Sequence, residues 1–438
     1  MMPSNEQEVN QQLEGGEPIE EFISTDEVAQ EVIPANDNEQ PEDNDDMQDD
    51  IPMGDGETIE IDMANNSVTY FDKHTDSVFT LAQHPTLPLV VSGGGDNVAN
   101  LWTSHSHPPK MAGTIAAHTE SVICSNFTAD GKFLVTADMN GKILVHAGLK
   151  GGAQWKQVSE LSEVDEVVWL KTHPKVPSIF AFGAVDGSVW CYQISEQDGS
   201  LEQLMSGFVH TQDCTMGEFI NLDKGEEAVD LVTCSLDSSI VGWNCYTGQQ
   251  LFKLTQAEIN GLEAPWVSLA VAPSNLTNGN FGIIAAGSNN GVLTILNANN
   301  NGTVLHLETV VELKADQEEL DASIESICWS PKYPLMAVGL VGGQILLYDT
   351  NTWRVRRKFV LEDSITKLIF DNDDIFASCI NGKVYQYDAK TGNEKFVCVG
   401  HNMGILDFIV VKPKDTTQPR RVITAGDEGV SLVFEVPN

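Results

Sequence analysis

The stretch from His74 to Trp102 holds His74, Ser92, Asp96 and Trp102: an imidazole, a hydroxyl, a carboxylate and an indole. An imidazole between a hydroxyl and a carboxylate is the machinery of nucleophilic acyl transfer. The quartet returns, however, as His210, Thr233, Asp237 and Trp243 at a closely similar spacing. A hydrogen-bonded network built from a histidine in one turn, a hydroxyl on a strand, an acceptor in the next turn and an indole on the following strand uses every polar group when buried. The quartets therefore read as structural tetrads rather than catalytic triads. Weaker copies follow in Asp186 with Tyr192, Asn290 with Leu296, Tyr348-Asp349, Asn381 with Tyr387-Asp388, and His401, Thr424 and Phe434.

Such tetrads need strands to hold them, and the strands repeat. Segments that open near a histidine or acidic turn and close in a Trp-Asp-like strand fill residues 57–438 at a spacing of roughly 40 to 50 residues, the period of a WD-type β-propeller. First strands are expected to begin at Val78, Val122, Val167, Cys214, Trp266, Ile324, Ile365 and Ile405. That predicts an all-β, eight-bladed WD40-type propeller; seven blades is the alternative, because the fourth and fifth units are irregular. The last unit stops at SLVFEVPN without an outer strand, while NNSVTYF at residues 65–71 has no blade of its own. The N-terminal strand should therefore complete the last blade and remove an exposed edge.

Residues 1–56 contain 18 acidic residues and no Lys or Arg, a composition that cannot bury enough apolar surface to fold alone, so a disordered acidic tail is expected ahead of a propeller at 57–438. The chain carries a net charge of -40, of which -22 remains on the propeller once the tail is set aside. Nucleic acid is a poor direct partner for that charge, and a basic protein segment is the natural complement. With no signal peptide and no apolar stretch long enough to span a bilayer, the chain is expected to be cytoplasmic, monomeric and free of membranes. Its eight cysteines show no C-x-x-C pair and read as reduced core residues. Gly93 to Gly95 is not followed by the Lys-Ser/Thr of a phosphate loop, and His105 and His107 lack further metal ligands in sequence, so neither a cofactor nor a metal is expected.

The distribution of carboxylates within the blade frame is more informative. One face of a WD propeller is built from the turn entering each first strand, the residue just inside that strand, and the residue before the tetrad acid. This frame places Glu120, Glu166, Asp213, Glu325 and Asp427 on one face, with Asp76, Asp165, Asp321 and Asp363 nearby. Phe79, Met139, Trp266, Met403 and Leu406 share it. Glu325 replaces an inward residue where Phe79 and Val168 stand in other blades. Carboxylates distant in sequence would converge on one channel mouth with Phe79 beside them; Trp266 reads first as a core residue and, if exposed, would anchor an apolar or cationic side chain at the centre of the site.

Several non-repetitive segments, among them YFDKHTDSVF, LWTSHSHPPK, EQDGSLEQLMSGFVH, GLEAPW, CINGKVYQYDAKTG and AGDEGVSLVFEVPN, resemble the WD-repeat ribosome-assembly chaperones of the suppressor-of-QSR-truncation family, whose animal relative is the angio-associated migratory cell protein. The resemblance runs through the whole propeller. It implies a dedicated, non-enzymatic chaperone in 60S subunit assembly. Its acidic face would bind the basic N-terminus of newly made large-subunit ribosomal protein ten, the QM protein, and deliver it to cytoplasmic pre-60S particles, touching ribosomes transiently. Carried over residue by residue, the implied acidic contacts are Glu120, Glu166, Glu325 and Asp427. The competing expectation is a general cytoplasmic WD-repeat scaffold for varied partners.

Overall fold

The computed structural model describes residues 64–276, 282–312, 318–412 and 419–437. The expected tail and its boundary at residue 56 lie outside them. Eight antiparallel four-stranded sheets form. Blades 1 to 8 span residues 78–115, 122–161, 167–207, 214–254, 266–309, 324–360, 365–398 and 405–436, and each first strand starts where the sequence places it. Blades 4 and 5 look irregular in sequence because short 3-10 turns interrupt them, at Leu222–Glu227 inside blade 4 and Gln256–Ile259 before blade 5.

First strands touch their neighbours all the way round, and the strand Val78–Gln83 meets Ile405–Val411 to close the ring. The second strands of blades 1 to 7 are buried along their whole length, as in LVVSGG and IFAFGA, and that of blade 8 everywhere but Arg421, because both faces of each sheet are covered by neighbours. Alternate side chains go to opposite gaps. Val90 joins the cluster between blades 8 and 1, whereas Leu89 and Val91 join the one between blades 1 and 2. Every gap between adjacent blades holds one such cluster, so a single blade cannot bury its apolar area alone.

The seam is closed by the N-terminal strand Thr69–Phe71, which pairs with Ser431–Val436 in the register Thr69 to Val433 and Phe71 to Ser431. Phe71 stacks on the tetrad indole of Trp102 at 4.7 Å and fills the gap between the last and first blades. Asn66 extends the seam to blade 7: its amide group donates to the Val397 carbonyl at 2.8 Å and accepts from the Val399 N–H at 2.9 Å.

The two tetrads differ in detail. In blade 1, His74 Nδ1 lies 3.0 Å from Asp96, its Nε2 lies 2.9 Å from Ser92 Oγ, and Trp102 Nε1–H donates to the same hydroxyl at 3.1 Å. In blade 4, His210 and Trp243 both reach Thr233, at 2.8 and 2.9 Å, but Ser239 Oγ stands between His210 and Asp237, 2.6 Å from one and 2.5 Å from the other. Burial favours the neutral Asp237 carboxyl, yet the His210 imidazole 3.8 Å away and hydrogen bonds from Ser239 and the Thr211 amide outweigh it and hold the group well below the usual carboxylate range.

Two further sets complete the pattern. His118 bonds Thr136 at 2.7 Å and Asp138 at 3.2 Å, and His401 bonds Thr424 at 2.6 Å and Glu428 at 2.5 Å. The sequence frame missed the first and left the second without its acceptor.

Candidate functional site at the channel mouth

One hydrogen bond repeats in all eight blades and defines the mouth. The backbone N–H of the residue opening the turn between second and third strands donates to the carbonyl of the residue just before the first strand. The pairs are Gly95 to Ser77, Met139 to Ser121, Val185 to Glu166, Leu236 to Asp213, Asn289 to Pro265, Val341 to Ser323, Ile380 to Ser364 and Asp427 to Gly404, at 2.8 to 3.3 Å. These turns and strand entries therefore share one end of the ring. A bulge supplies a third mouth position: in every first strand the register slips around the second residue, freeing it from regular pairing. The freed residues are Phe79, Ile123, Val168, Thr215, Val267, Glu325, Thr366 and Leu406.

The expected carboxylates fall on these positions. Glu120 lies two residues ahead of its first strand and is exposed, with Asp76, Asp165 and Asp363 at the equivalent places in blades 1, 3 and 7. Glu166 and Asp213 are strand-entry residues, half-buried. Glu325 is a bulge residue, exposed where its seven equivalents are half-buried, and one of its oxygens accepts from Ser323 Oγ at 2.6 Å. Asp427 opens the turn of blade 8 and reaches over the seam to accept from Ser77 Oγ of blade 1 at 2.7 Å. The acidic arc thus runs from blade 6 through the seam to blade 4. Blade 5 interrupts it, with Ala264, Pro265, Val267 and Asn289 at the mouth positions.

Phe79 stands at the mouth as a half-buried bulge residue. Trp266 does not: it is fully buried between blades 4 and 5. It is the first residue of its strand, and the equivalent Val78, Val122 and Ile324 are likewise buried, so its indole is inaccessible to a partner. Beside the carboxylates, the turn residues Met139, Val185 and Ile380 are exposed and Leu236 and Val341 half-buried, an apolar set of which the sequence frame singled out only Met139.

Below the mouth the charge is balanced. Lys171 and Glu218 pair at 2.8 Å between the first strands of blades 3 and 4, and Lys367 and Asp407 at 2.5 Å between those of blades 7 and 8. Glu218 keeps the Lys171 ammonium above its ordinary pKa despite burial. Asp407 also accepts from the Leu81 N–H at 2.8 Å. At the mouth carboxylates outnumber the lysines of the same turns, Lys142 and Lys383, and separated carboxylates face solvent beside low-dielectric walls. Among the described residues no group of three His, Cys, Asp or Glu could hold a metal ion. His105 and His107 lie away from the mouth, and His107 contacts Arg421.

Fold and site together define a WD-type propeller acting as a protein-binding module. Models of the WD domain, G-beta repeat match residues 65–103 and 109–146, and that of the anaphase-promoting complex subunit 4 WD40 domain matches residues 305–373. Ribosome assembly protein SQT1 of Saccharomyces cerevisiae is 68% identical over 96% of this chain and 100% of its own length. The chain belongs to that family of ribosome assembly proteins. The crystal structure of Saccharomyces cerevisiae Sqt1 superposes with a TM-score of 0.85 at 72% identity, covering 86% of this chain and 100% of that one. Chaetomium thermophilum Sqt1, crystallised bound to the N-terminus of ribosomal protein L10, superposes with a TM-score of 0.73 at 28% identity, covering 85% of this chain and 100% of its own.

Proposed function

We propose that this protein is a cytoplasmic, non-enzymatic chaperone of 60S subunit assembly that holds the basic N-terminal segment of ribosomal protein L10 (large-subunit protein ten) at its channel mouth. Glu120, Glu166, Asp213, Glu325 and Asp427 make the ionic contacts and Phe79 an apolar one. The observation that carries this reading is the arc of carboxylates set on equivalent mouth positions of seven blades, in a family with a member crystallised in complex with that peptide.

An Arg- and Lys-rich segment awaiting rRNA is prone to nonspecific binding, and an acidic mouth shields it. Each rim pair contributes about 0.2 to 1 kcal/mol. Several acting on one segment offset the roughly 2 to 5 kcal/mol needed to order it. They also speed encounter. rRNA phosphates compete for the same cations, so delivery and release are one exchange.

Titration of the full chain with a synthetic L10 N-terminal peptide tests the reading. Glu120→Lys combined with Glu325→Lys should weaken binding by about 10- to 100-fold, and added salt should weaken the native complex. Undiminished binding by the double variant at physiological salt would overturn the assignment of the mouth.

A further inference from the structure

Blade 3 leaves a large aromatic side chain in solvent. Phe208, the residue that follows the outermost strand Leu201–Gly207, is 68% exposed. Gly207 pairs with Val189, just past the mouth turn that opens at Val185, so Phe208 lies on the mouth side of the ring. The same position in the other blades holds a small, polar or aliphatic residue, as in Ala116, Ser162 and Thr255. In blade 6 it holds Leu361, tucked in to 8% exposure, so the position itself does not force a side chain outward.

Phe208 stands on a rigid base. Its ring meets Trp190 edge to face with centroids 5.7 Å apart, and Trp190 stacks on Phe182 at 6.3 Å, which stacks in turn on Tyr192 at 6.2 Å. Trp190 Nε1–H donates to Ser188 Oγ at 2.9 Å, which fixes the indole. Val164, just ahead of the first strand of blade 3, packs against the same cluster as Trp190. Glu163 and Asp165 flank Val164, and Asp186 accepts from the Ser188 N–H at 2.9 Å. All three carboxylates are exposed and none forms an ion pair among the described residues. Single exposed apolar side chains are ordinary, but here an aromatic pair, the exposed Val185 and three carboxylates share one side of one blade.

A flat cation satisfies both features at once. A guanidinium lies on an aromatic face and offers its edge to a carboxylate, which an ammonium does less well. We propose that this shelf of blade 3 holds an arginine side chain of the client, over Phe208 and with its edge to the surrounding carboxylates, and so sets the direction in which the client leaves the mouth. The inference rests on the L10 reading and adds a path to it. A peptide whose first residues lie among the mouth carboxylates has to cross one rim to continue. Over blade 3 the way is lined by Glu166, then Val185 and Asp186, then the shelf, whereas blade 5 has no carboxylate at its mouth positions. Four strands side by side set the shelf about 14 Å out from the first strand, which about four extended residues cover.

Titration of the full chain with two synthetic L10 N-terminal peptides, the longer extending the shorter by about eight residues, tests the path. Phe208→Ala is expected to weaken the longer peptide by about 3- to 10-fold, and to leave the shorter one and the melting temperature unchanged. Replacing the arginines of the added part by lysine should cost the native protein a similar factor and Phe208→Ala nothing further, because both changes remove the same contact. Equal affinity of Phe208→Ala and the native protein for the longer peptide, a loss shared by both peptides, or two losses that add would overturn the shelf. If Glu120→Lys with Glu325→Lys weakens both peptides and Phe208→Ala neither, the shelf falls and the mouth stands. Undiminished binding of both peptides by that double variant removes the mouth and the path with it.

Discussion

Asp96 and Glu325 are both carboxylates on one propeller, and their surroundings give them opposite tasks. Asp96 is enclosed by its blade, with His74 and the Thr75 amide bonded to it. Glu325 sits on a bulge facing solvent with Ser323 as its neighbour. The first kind of group locks a blade, because leaving its partners unpaired in a dry interior costs about 1 to 3 kcal/mol. The second adds little to stability and keeps its charge available for a cation from outside. The same residue type is therefore staple or hook according to whether its hydrogen-bond capacity is used up at home.

Perturbations should separate the two sets. The largest effect belongs to the interior: deleting residues 65–71 removes the strand that completes blade 8 together with Phe71, and cooperative thermal unfolding should disappear from calorimetry. Next, His74→Ala removes the partner that Ser92 and Asp96 share, and urea unfolding should show a loss of about 2 to 3 kcal/mol, with affinity for the basic peptide kept by the molecules that remain folded. Glu325→Gln should do the reverse, leaving stability within about 0.5 kcal/mol and weakening peptide binding by about 2- to 5-fold.

A pH dependence belongs to the interior as well. Burial pushes the imidazoles of His146 and His173 down to about 4, so between roughly pH 6.5 and 4 the unfolded chain binds protons that the folded chain refuses. Stability contributed by these groups is complete above the unfolded value and is lost as pH falls through that window. Melting curves should show a smaller drop from pH 7 to 5 in His146→Gln than in the native chain, relative to each protein's own value at pH 7. An equal drop would place the acid sensitivity elsewhere.

Blade number, strand starts and the clasp were legible in the sequence because each depends on local pattern: apolar strands, turn residues, and an outer strand missing at one end and spare at the other. The set around His118 escaped because its acid, Asp138, stands two residues earlier than Asp96 does in its own blade, and His146 occupies the place of the indole. The 18-residue interval from His118 to Thr136, the same as from His74 to Ser92, was the available signal. Glu428 hid for a similar reason, as a glutamate where an aspartate was sought. Trp266 reads as core or contact by its chemistry, and its place settles it as core, since the first position of a first strand is buried whichever side chain fills it. The apolar set beside the carboxylates has no motif at all. It emerges only when eight turns from eight blades are set side by side, and L10 as cargo came from family resemblance rather than from the arc itself.

The bond from Ser77 to Asp427 ties assembly of the mouth to the synthesis of blade 8. These partners are made 350 residues apart, and Thr69–Phe71 finds its pairing strand only once Ser431–Val436 has left the ribosome. A chain truncated before that point presents an open ring, an unclosed apolar gap beside Trp102 and an unfinished grip. Competence to hold a client is thus checked by translation itself: only a polypeptide read through its last blade has both halves of the seam.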